Sequence, residues 1–214
     1  MAYNTGNYKK YTTKNPLKRK MVENLNARIL EIVKDTISGF DKPAGERVSI
    51  LDAGCGEGFV VNLLCQNLDG GIAGICGLEL TEEALDIARE KNPGISFVQG
   101  DICKMPFESG TFDIVLCTEV LEHLENPSEA LSELMRVSKG AVIVTVPHEP
   151  WFCMGNLLVL KNVTRLGNPI DHINHWTYQG FQAFLRGNTC VGWKMEKSFP
   201  WTIAHCRIDN EADN

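Results

Sequence analysis

The sequence predicts an α/β protein: a doubly wound, mostly parallel seven-stranded sheet with helices on both faces, an antiparallel last strand, and a lid inserted after strand five. Three observations carry that prediction. Short strands, apolar throughout, alternate with helix-patterned stretches, as strands buried on both faces do. A glycine-rich turn, "LDAGCGEGFV" from Leu51 to Val60, directly follows the first of those strands. After the fifth strand the alternation pauses for a long connection, "EPWFCMGNLLVLKNVTRLGNPIDHINHW", Glu149 to Trp176. Connections of that length in compact domains are usually lids or binding loops.

The elements follow in order. Asn15-Pro16 pairs an N-cap with a proline in the first turn. Leu17, Met21, Leu25, Ile29 and Val33 then recur at helical spacing, predicting a helix to about Ile37. The stretch "GFDKPAGE" breaks it. "VSILDAG" is the first strand and "FVVNLLCQNL" a helix; "GIAGICGLEL" is the second strand, after which Thr81 caps the helix "EEALDIARE". "ISFVQGD" and "FDIVLCT" are strands three and four. "NPSEALSELMRVS" is a helix opened by Pro127, and "AVIVTVP" is strand five. Beyond the lid come a helix, "YQGFQAFLRG", and two runs, "VGWKMEKSF" and "TIAHCRI", expected to pair antiparallel at the sheet edge. "DNEADN" is an acidic tail. The predicted organisation is an N-terminal arm and helix over 1–42 and one domain over 43–214, with the lid at about 149–176.

Composition narrows the function classes. With 214 residues, 43% hydrophobic and 22% charged, the chain suits one globular domain rather than a disordered or fibrous one. A net charge of −6 is a poor match to nucleic acid, whose binding draws on phosphate neutralisation. No apolar run approaches the roughly 20 residues of a membrane span. The first twenty residues lack the apolar core of a secretory signal and carry Lys9, Lys10, Lys14, Lys18, Arg19 and Lys20, so they are taken as part of the mature protein. None of the eight cysteines forms a C-x-x-C pair, and most lie in apolar runs. A reducing cytoplasm accounts for them.

The first strand-to-helix crossover of an open parallel sheet is where nucleotide cofactors bind. A dinucleotide turn is G-x-G-x-x-G; here Gly54, Gly56 and Gly58 make G-x-G-x-G, and Phe59 stands where the third glycine belongs. Asp52 precedes the turn, and its carboxylate repels a pyrophosphate but attracts an ammonium or a sulfonium. Glu79 ends strand two and offers two acceptors to ribose hydroxyls. Asp101 ends strand three, placed to accept from an adenine amino group, with Ile102 supplying backbone and apolar contact. The carbonyls of Cys117 and Thr118, ending strand four, face an ammonium. Three carboxylates on three strand ends, with no Lys or Arg among them, describe a site for a cationic adenosine ligand.

This order of residues resembles the class I S-adenosylmethionine-dependent methyltransferases, over roughly Val48 to Phe199. The shared features are an acid, G-x-G-x-G, an acid ending strand two, an acid ending strand three, and "EVLEH" after strand four. The resemblance implies a Rossmann-like fold and S-adenosyl-L-methionine as cofactor. It places Asp52, Gly54, Cys55, Gly56 and Gly58 at the methionine end and Glu79 at the ribose. Leu80 and Ile102 fall on the adenine faces, Asp101 at the adenine amino group.

Candidates for handling the methyl acceptor come from the ends of strands four and five and from the lid: Glu119, Glu122, His123, His148, His172 and His175. In a helical "EVLEHL", Glu119, Glu122 and His123 share one face, and carboxylate with imidazole can ligate a divalent ion. "DHINHWT" adds His172. Small-RNA 2′-O-methyltransferases and ubiquinone-pathway O-methyltransferases resemble the chain in E-x-x-E-H and in this lid histidine, which implies a metal set of Glu119, Glu122, His123 and His172. In many other relatives the same motif holds no metal and the histidine only lines the site. The catalytic set expected is His123, His172 and Glu122. Trp151, Phe152, Met154, Leu157, Leu158 and Leu160 give the lid an apolar surface, suited to an aromatic or lipid-like acceptor and to contact with a membrane surface, or else completing the core. Tyr8 and Tyr11 either close over the cofactor or belong to a disordered arm. The leading expectation is methylation of a small molecule on oxygen. The alternatives are a metal-dependent RNA 2′-O-methyltransferase and a non-catalytic S-adenosylmethionine-binding protein; a nicotinamide dehydrogenase fails on glycine spacing.

Overall fold

The five parallel strands that open the sequence pattern are joined by four crossovers, whose helices are divided between the two faces of the sheet. The computed structural model describes residues 6–42, 46–68, 72–158, 162–169 and 171–208; the acidic tail and Leu160 lie outside them. A short helix α1 (Gly6–Tyr11) and the long α2 (Pro16–Ser38) precede the sheet. Then follow β1 (Val48–Ala53), α3 (Phe59–Asn67), β2 (Ile72–Glu79), α4 (Glu82–Lys91), β3 (Ser96–Gln99) and β4 (Phe112–Thr118). The second half comprises α5 (Pro127–Val137), β5 (Ser138–Pro147), α6 (Trp151–Leu158), α7 (Tyr178–Asn188), β6 (Lys194–Ser198) and β7 (Trp201–Arg207).

The sheet has seven strands in the order β3-β2-β1-β4-β5-β7-β6. β1 to β5 pair in parallel, and β7 is antiparallel to both β5 and β6. The two last runs therefore pair antiparallel at the sheet edge as expected, with β6 outermost and β7 between β5 and β6. Alternation along each strand divides the core. Ile50, Ile114, Leu116 and Ile143 face α2, α3 and α4 through Leu25, Ile29, Leu64 and Leu85. Leu51, Val115, Cys117 and Val144 face α5 and α7 through Leu131, Leu134, Phe181 and Leu185. Both faces are covered, as a parallel sheet requires.

Local chemistry explains the element ends and some departures from expectation. Asn15 Oδ1 accepts from the amides of Leu17 and Lys18 at 3.0 and 3.1 Å, capping α2. The buried stripe of α2 runs through Val22, Leu25, Ile29, Ile32, Val33 and Thr36, and Leu17 is exposed, so the stripe starts a turn later than the spacing suggested. Thr81 occupies the N-cap of α4 without capping it; its hydroxyl donates instead to Glu79 Oε1 at 3.2 Å. "EVLEHL" forms a single 3-10 turn, Leu121–His123, not an α-helix. The lid holds α6, another 3-10 turn at Val163–Arg165, and a return leg that bridges His148 to Trp176. Trp151, Met154, Val163, Leu166 and Ile173 of the lid are exposed, so these side chains do not complete the core. Phe152 and Leu157 are half-buried. All eight cysteines are free. Among the described residues no helix is long and apolar enough to cross a membrane.

Candidate functional site

The ends of β1, β2 and β4 meet at the glycine turn. Gly54, Gly56 and Gly58 all adopt positive φ, at 78°, 52° and 71°, a region where a side chain is strained. A Cβ on Gly54 would meet Val120 Cγ2 at 2.5 Å, so the turn and the loop after β4 approach as closely as they can only because that side chain is missing. The amides of Gly54 and Cys55 donate to the carbonyl of Leu78 at 2.8 and 2.9 Å, tying the turn to β2. Asn92 Nδ2 donates to the carbonyl of Gly58 at 3.1 Å and to that of Ala88 at 3.0 Å, fixing the start of α3 against α4.

Asp52 is fully buried, and neither carboxylate oxygen has a hydrogen-bond partner. Burial first, then the charge of Glu79, pushes its carboxyl up to about 7. A buried carboxylate left without partners is costly, and here it is placed where a cation would complete it. Glu79 is held in place: Oε2 accepts from the Gly56 amide at 3.1 Å, and Oε1 from the Thr81 amide at 3.1 Å. Asp101 is exposed and accepts from the Cys103 amide at 2.8 Å through Oδ1. Ile102 is buried, Leu80 is exposed, Cys117 is buried and Thr118 is half-buried. The strand-end residues thus lie along one edge, apolar side chains interleaved with acids.

Beyond β4 the structure brings Glu122, His123 and His172 together, each offering one ligand atom within 4.8 Å of the others. The return leg of the lid causes this. The amides of Ile173 and Asn174 donate to the carbonyl of Glu122 at 2.8 and 2.9 Å, and Asn174 Nδ2 donates to the carbonyl of Leu124 at 2.6 Å. His123 Nδ1 lies 2.8 Å from the carbonyl of Asp171. That acceptor makes Nδ1 the protonated nitrogen and leaves Nε2 with a lone pair. Glu122 is buried with Oε2 unpartnered, and burial pushes its carboxyl up to about 8. His172 Nδ1 is buried and unpartnered, and burial, followed by His123, pushes the imidazole down to about 4. Two orphaned polar atoms and an oriented imidazole suit a divalent ion.

Glu119, expected as a fourth ligand, is directed elsewhere. Its backbone has φ of 56° because its amide donates to the carbonyl of Thr145 on β5 at 3.0 Å. Its carboxylate accepts from Trp201 Nε1 and pairs with Lys10 Nζ. The helical face that would have gathered Glu119 with Glu122 and His123 is replaced by the tight 3-10 turn, which starts after it. His148 and His175 are not in the cluster with Glu122.

Sequence patterning missed Lys10, Trp201 and Asn92. Lys10 belongs to α1, whose Tyr11 stacks on Phe59 with centroids 4.4 Å apart and planes 6° apart. Burial pushes the Lys10 ammonium down to about 7, against the opposing charge of Glu122. Lys10, Tyr11, Gly54, Phe59, Thr118 and Glu119 enclose a cavity of about 10 Å³, room for a single water. The signal for Lys10 was a charge in an arm, indistinguishable from a solvated face. Trp201 and Asn92 offered none, since their partners are remote in sequence.

Comparison with known proteins bears on the family and the fold. Residues 51–145 match the methyltransferase-domain family. An uncharacterized methyltransferase of Schizosaccharomyces pombe is 40% identical over 101 residues, covering 42% of this chain and 36% of its own length. The mitochondrial ubiquinone biosynthesis O-methyltransferase of Saccharomyces cerevisiae is 35% identical over 88 residues, covering 39% of this chain and 28% of its own. The matched stretch is thus well under half the length of either relative. Among solved structures, a magnesium protoporphyrin IX methyltransferase from Synechocystis with bound SAH superimposes with a TM-score of 0.63 at 19% identity, covering 94% of this chain and 91% of that one. At that identity the likeness speaks for the fold alone.

Proposed function

We propose, on the premise that residues 51–145 belong to a class I S-adenosylmethionine-dependent methyltransferase domain, that the protein methylates a hydroxyl of an apolar or aromatic small molecule. The observation that carries the reading is Asp52, a buried carboxylate with both oxygens unpartnered at the end of β1, beside a glycine turn where a Cβ on Gly54 or Gly58 would strike Val120 or Asn92. S-adenosylmethionine supplies the sulfonium methyl, and the ammonium of its amino acid end matches that carboxylate. Gly54, Cys55, Gly56 and Gly58 form the cradle, and the carbonyls of Cys117 and Thr118 complete the methionine end. Glu79 takes the ribose hydroxyls; Asp101 takes the adenine amino group between Leu80 and Ile102.

Methyl transfer is an in-line displacement, so the protein's task is chiefly alignment and exclusion of water. The C–S electron pair leaves with sulfur, the acceptor oxygen forms the new C–O bond, and the hydroxyl proton passes to solvent. Glu122, His123 and His172 fit a divalent ion, which there would polarise the acceptor oxygen and lower its pKa. Glu122, whose buried Oε2 has no hydrogen-bond partner, would give up its proton and contribute the negative charge that balances such an ion. The Asp171 carbonyl keeps His123 Nε2 available. Burial keeps His172 neutral at pH 7. Phe152 stacks on the His172 ring at 5.5 Å between centroids and shields that side from water. The exposed apolar side chains of the lid and the net charge of −6 favour an apolar acceptor over RNA. Eight free cysteines fit a cytoplasmic setting.

The test is turnover of S-adenosylmethionine with a panel of phenolic acceptors, with chelator or with Mg²⁺, Mn²⁺ or Zn²⁺ added. Glu122→Gln should lose the divalent stimulation while retaining S-adenosylhomocysteine binding. Full activity in chelator would overturn the ion. Methylation of short RNA in place of phenols would overturn the acceptor class.

A further inference from the structure

We propose that Glu149, Cys153 and His175 form a separate metal site, selective for Zn²⁺ or a similarly borderline-soft cation, that clamps the two ends of the lid together. The three ligand atoms lie within 4.8 Å of one another, and none belongs to the Glu122 cluster. Glu149 directly follows β5 and Pro147–His148, Cys153 lies on α6, and His175 arrives on the return leg, 26 residues after Glu149. The backbone already holds these ends together: the Glu149 amide donates to the carbonyl of Trp176 at 2.9 Å.

Lone pairs outnumber protons where these side chains meet. Cys153 Sγ lies 3.0 Å from Glu149 Oε1 and 2.5 Å from Asn168 Oδ1, and His175 Nδ1 lies 3.8 Å from the same Glu149 oxygen. The thiol has one proton, so it can donate to only one of the two oxygens facing it. Glu149 Oε2 is engaged by the Cys153 amide at 3.1 Å, which aims Oε1 at the sulfur and the imidazole. Glu149 is itself buried. A cation at the common point satisfies all of these groups at once. Its binding breaks the S–H bond, sends the proton to solvent and forms a metal–thiolate bond. Thiolate, imidazole and carboxylate together match Zn²⁺ and not Mg²⁺ or Ca²⁺, and three protein ligands leave a fourth position for Asn168 Oδ1 or water. Phe152 directly precedes Cys153 on α6 and packs on His172, so fixing Cys153 also fixes this ring over His172.

The experiment uses the full chain, stripped with chelator and titrated with Co²⁺. The expected result is a near-ultraviolet thiolate-to-cobalt charge-transfer band that saturates as Co²⁺ is added and is displaced by Zn²⁺. Cys153→Ser should abolish the band, His175→Asn should weaken Co²⁺ binding by about tenfold or more, and Glu122→Gln should leave the band in place. Circular dichroism establishes that the variants are folded. A wild-type protein without the band, or a band that persists in Cys153→Ser, would overturn the site. Should the band form while Zn²⁺ leaves hydrogen exchange across 149–176 unchanged, the clamp is overturned. Because the band reports only thiolate ligation, it fails or survives independently of the Glu122 cluster and of any methyl acceptor.

Discussion

Lowering the pH should weaken binding of the demethylated cofactor, S-adenosylhomocysteine, through one side chain. Asp52 must ionise to meet the ligand's ammonium, yet burial and Glu79 hold its carboxyl near 7 against an ordinary value of 3.8. Burial first, then the charge of Asp52, pushes the Tyr11 phenol and the Cys55 thiol up, so both stay neutral beside it. At pH 6 only about a tenth of the protein carries the charge, so affinity should fall about tenfold per pH unit below 7, about 1.4 kcal/mol each. Calorimetry in buffers of different ionisation enthalpy should detect close to one proton released per ligand bound at pH 6. The same carboxyl affects folding with a definite sign. A carboxyl raised in the folded state leaves stability intact below pH 3.8, and stability is lost as pH rises through about 7. Asp52→Asn should therefore unfold at higher denaturant than wild type at pH 8, by a few kcal/mol, while binding the ligand more weakly and without the pH slope. A flat affinity profile in the wild type from pH 5.5 to 8, or an Asp52→Asn variant no more stable at pH 8, would refute the reasoning.

Two further outcomes follow from the same cradle. Glu79→Ala removes both the expected ribose acceptors and the bonds to the Gly56 and Thr81 amides; adenosine itself, which lacks the methionine end, should bind at least tenfold more weakly, and equal affinity would remove Glu79 from the ribose role. Gly54→Ala forces a Cβ to 2.5 Å from Val120 at a φ of 78° and should cost about 1–3 kcal/mol in chemical denaturation. Adding Val120→Ala should recover only the steric part, and complete recovery would show that the backbone conformation carries no strain.

What the sequence made legible was whatever is encoded locally. The five parallel strands and their helices show in apolar runs bounded by turn residues, and the glycine turn with Asp52 occupies adjacent positions. Contacts set by other strands were not legible. Nothing near Glu119 signals that Thr145 draws its amide into a positive φ, or that Lys10 and Trp201 engage its carboxylate. The helical reading of "EVLEHL" failed because the return leg of the lid hydrogen-bonds to Glu122 and Leu124, favouring a short turn over a continued helix. The meeting of Glu149, Cys153 and His175 depends on where a long insertion returns, which residue spacing does not encode.

The position of β7 has a consequence for synthesis. Trp201 to Arg207 pair with β5 on one side and with β6 on the other, so a ribosome must deliver the chain through residue 207 before either ladder can close fully. Until then β5 presents a bare apolar border and β6 has no neighbour among the described strands. Bare strand borders are templates for pairing with other chains, so a nascent product halted before residue 201 exposes its most aggregation-prone surface.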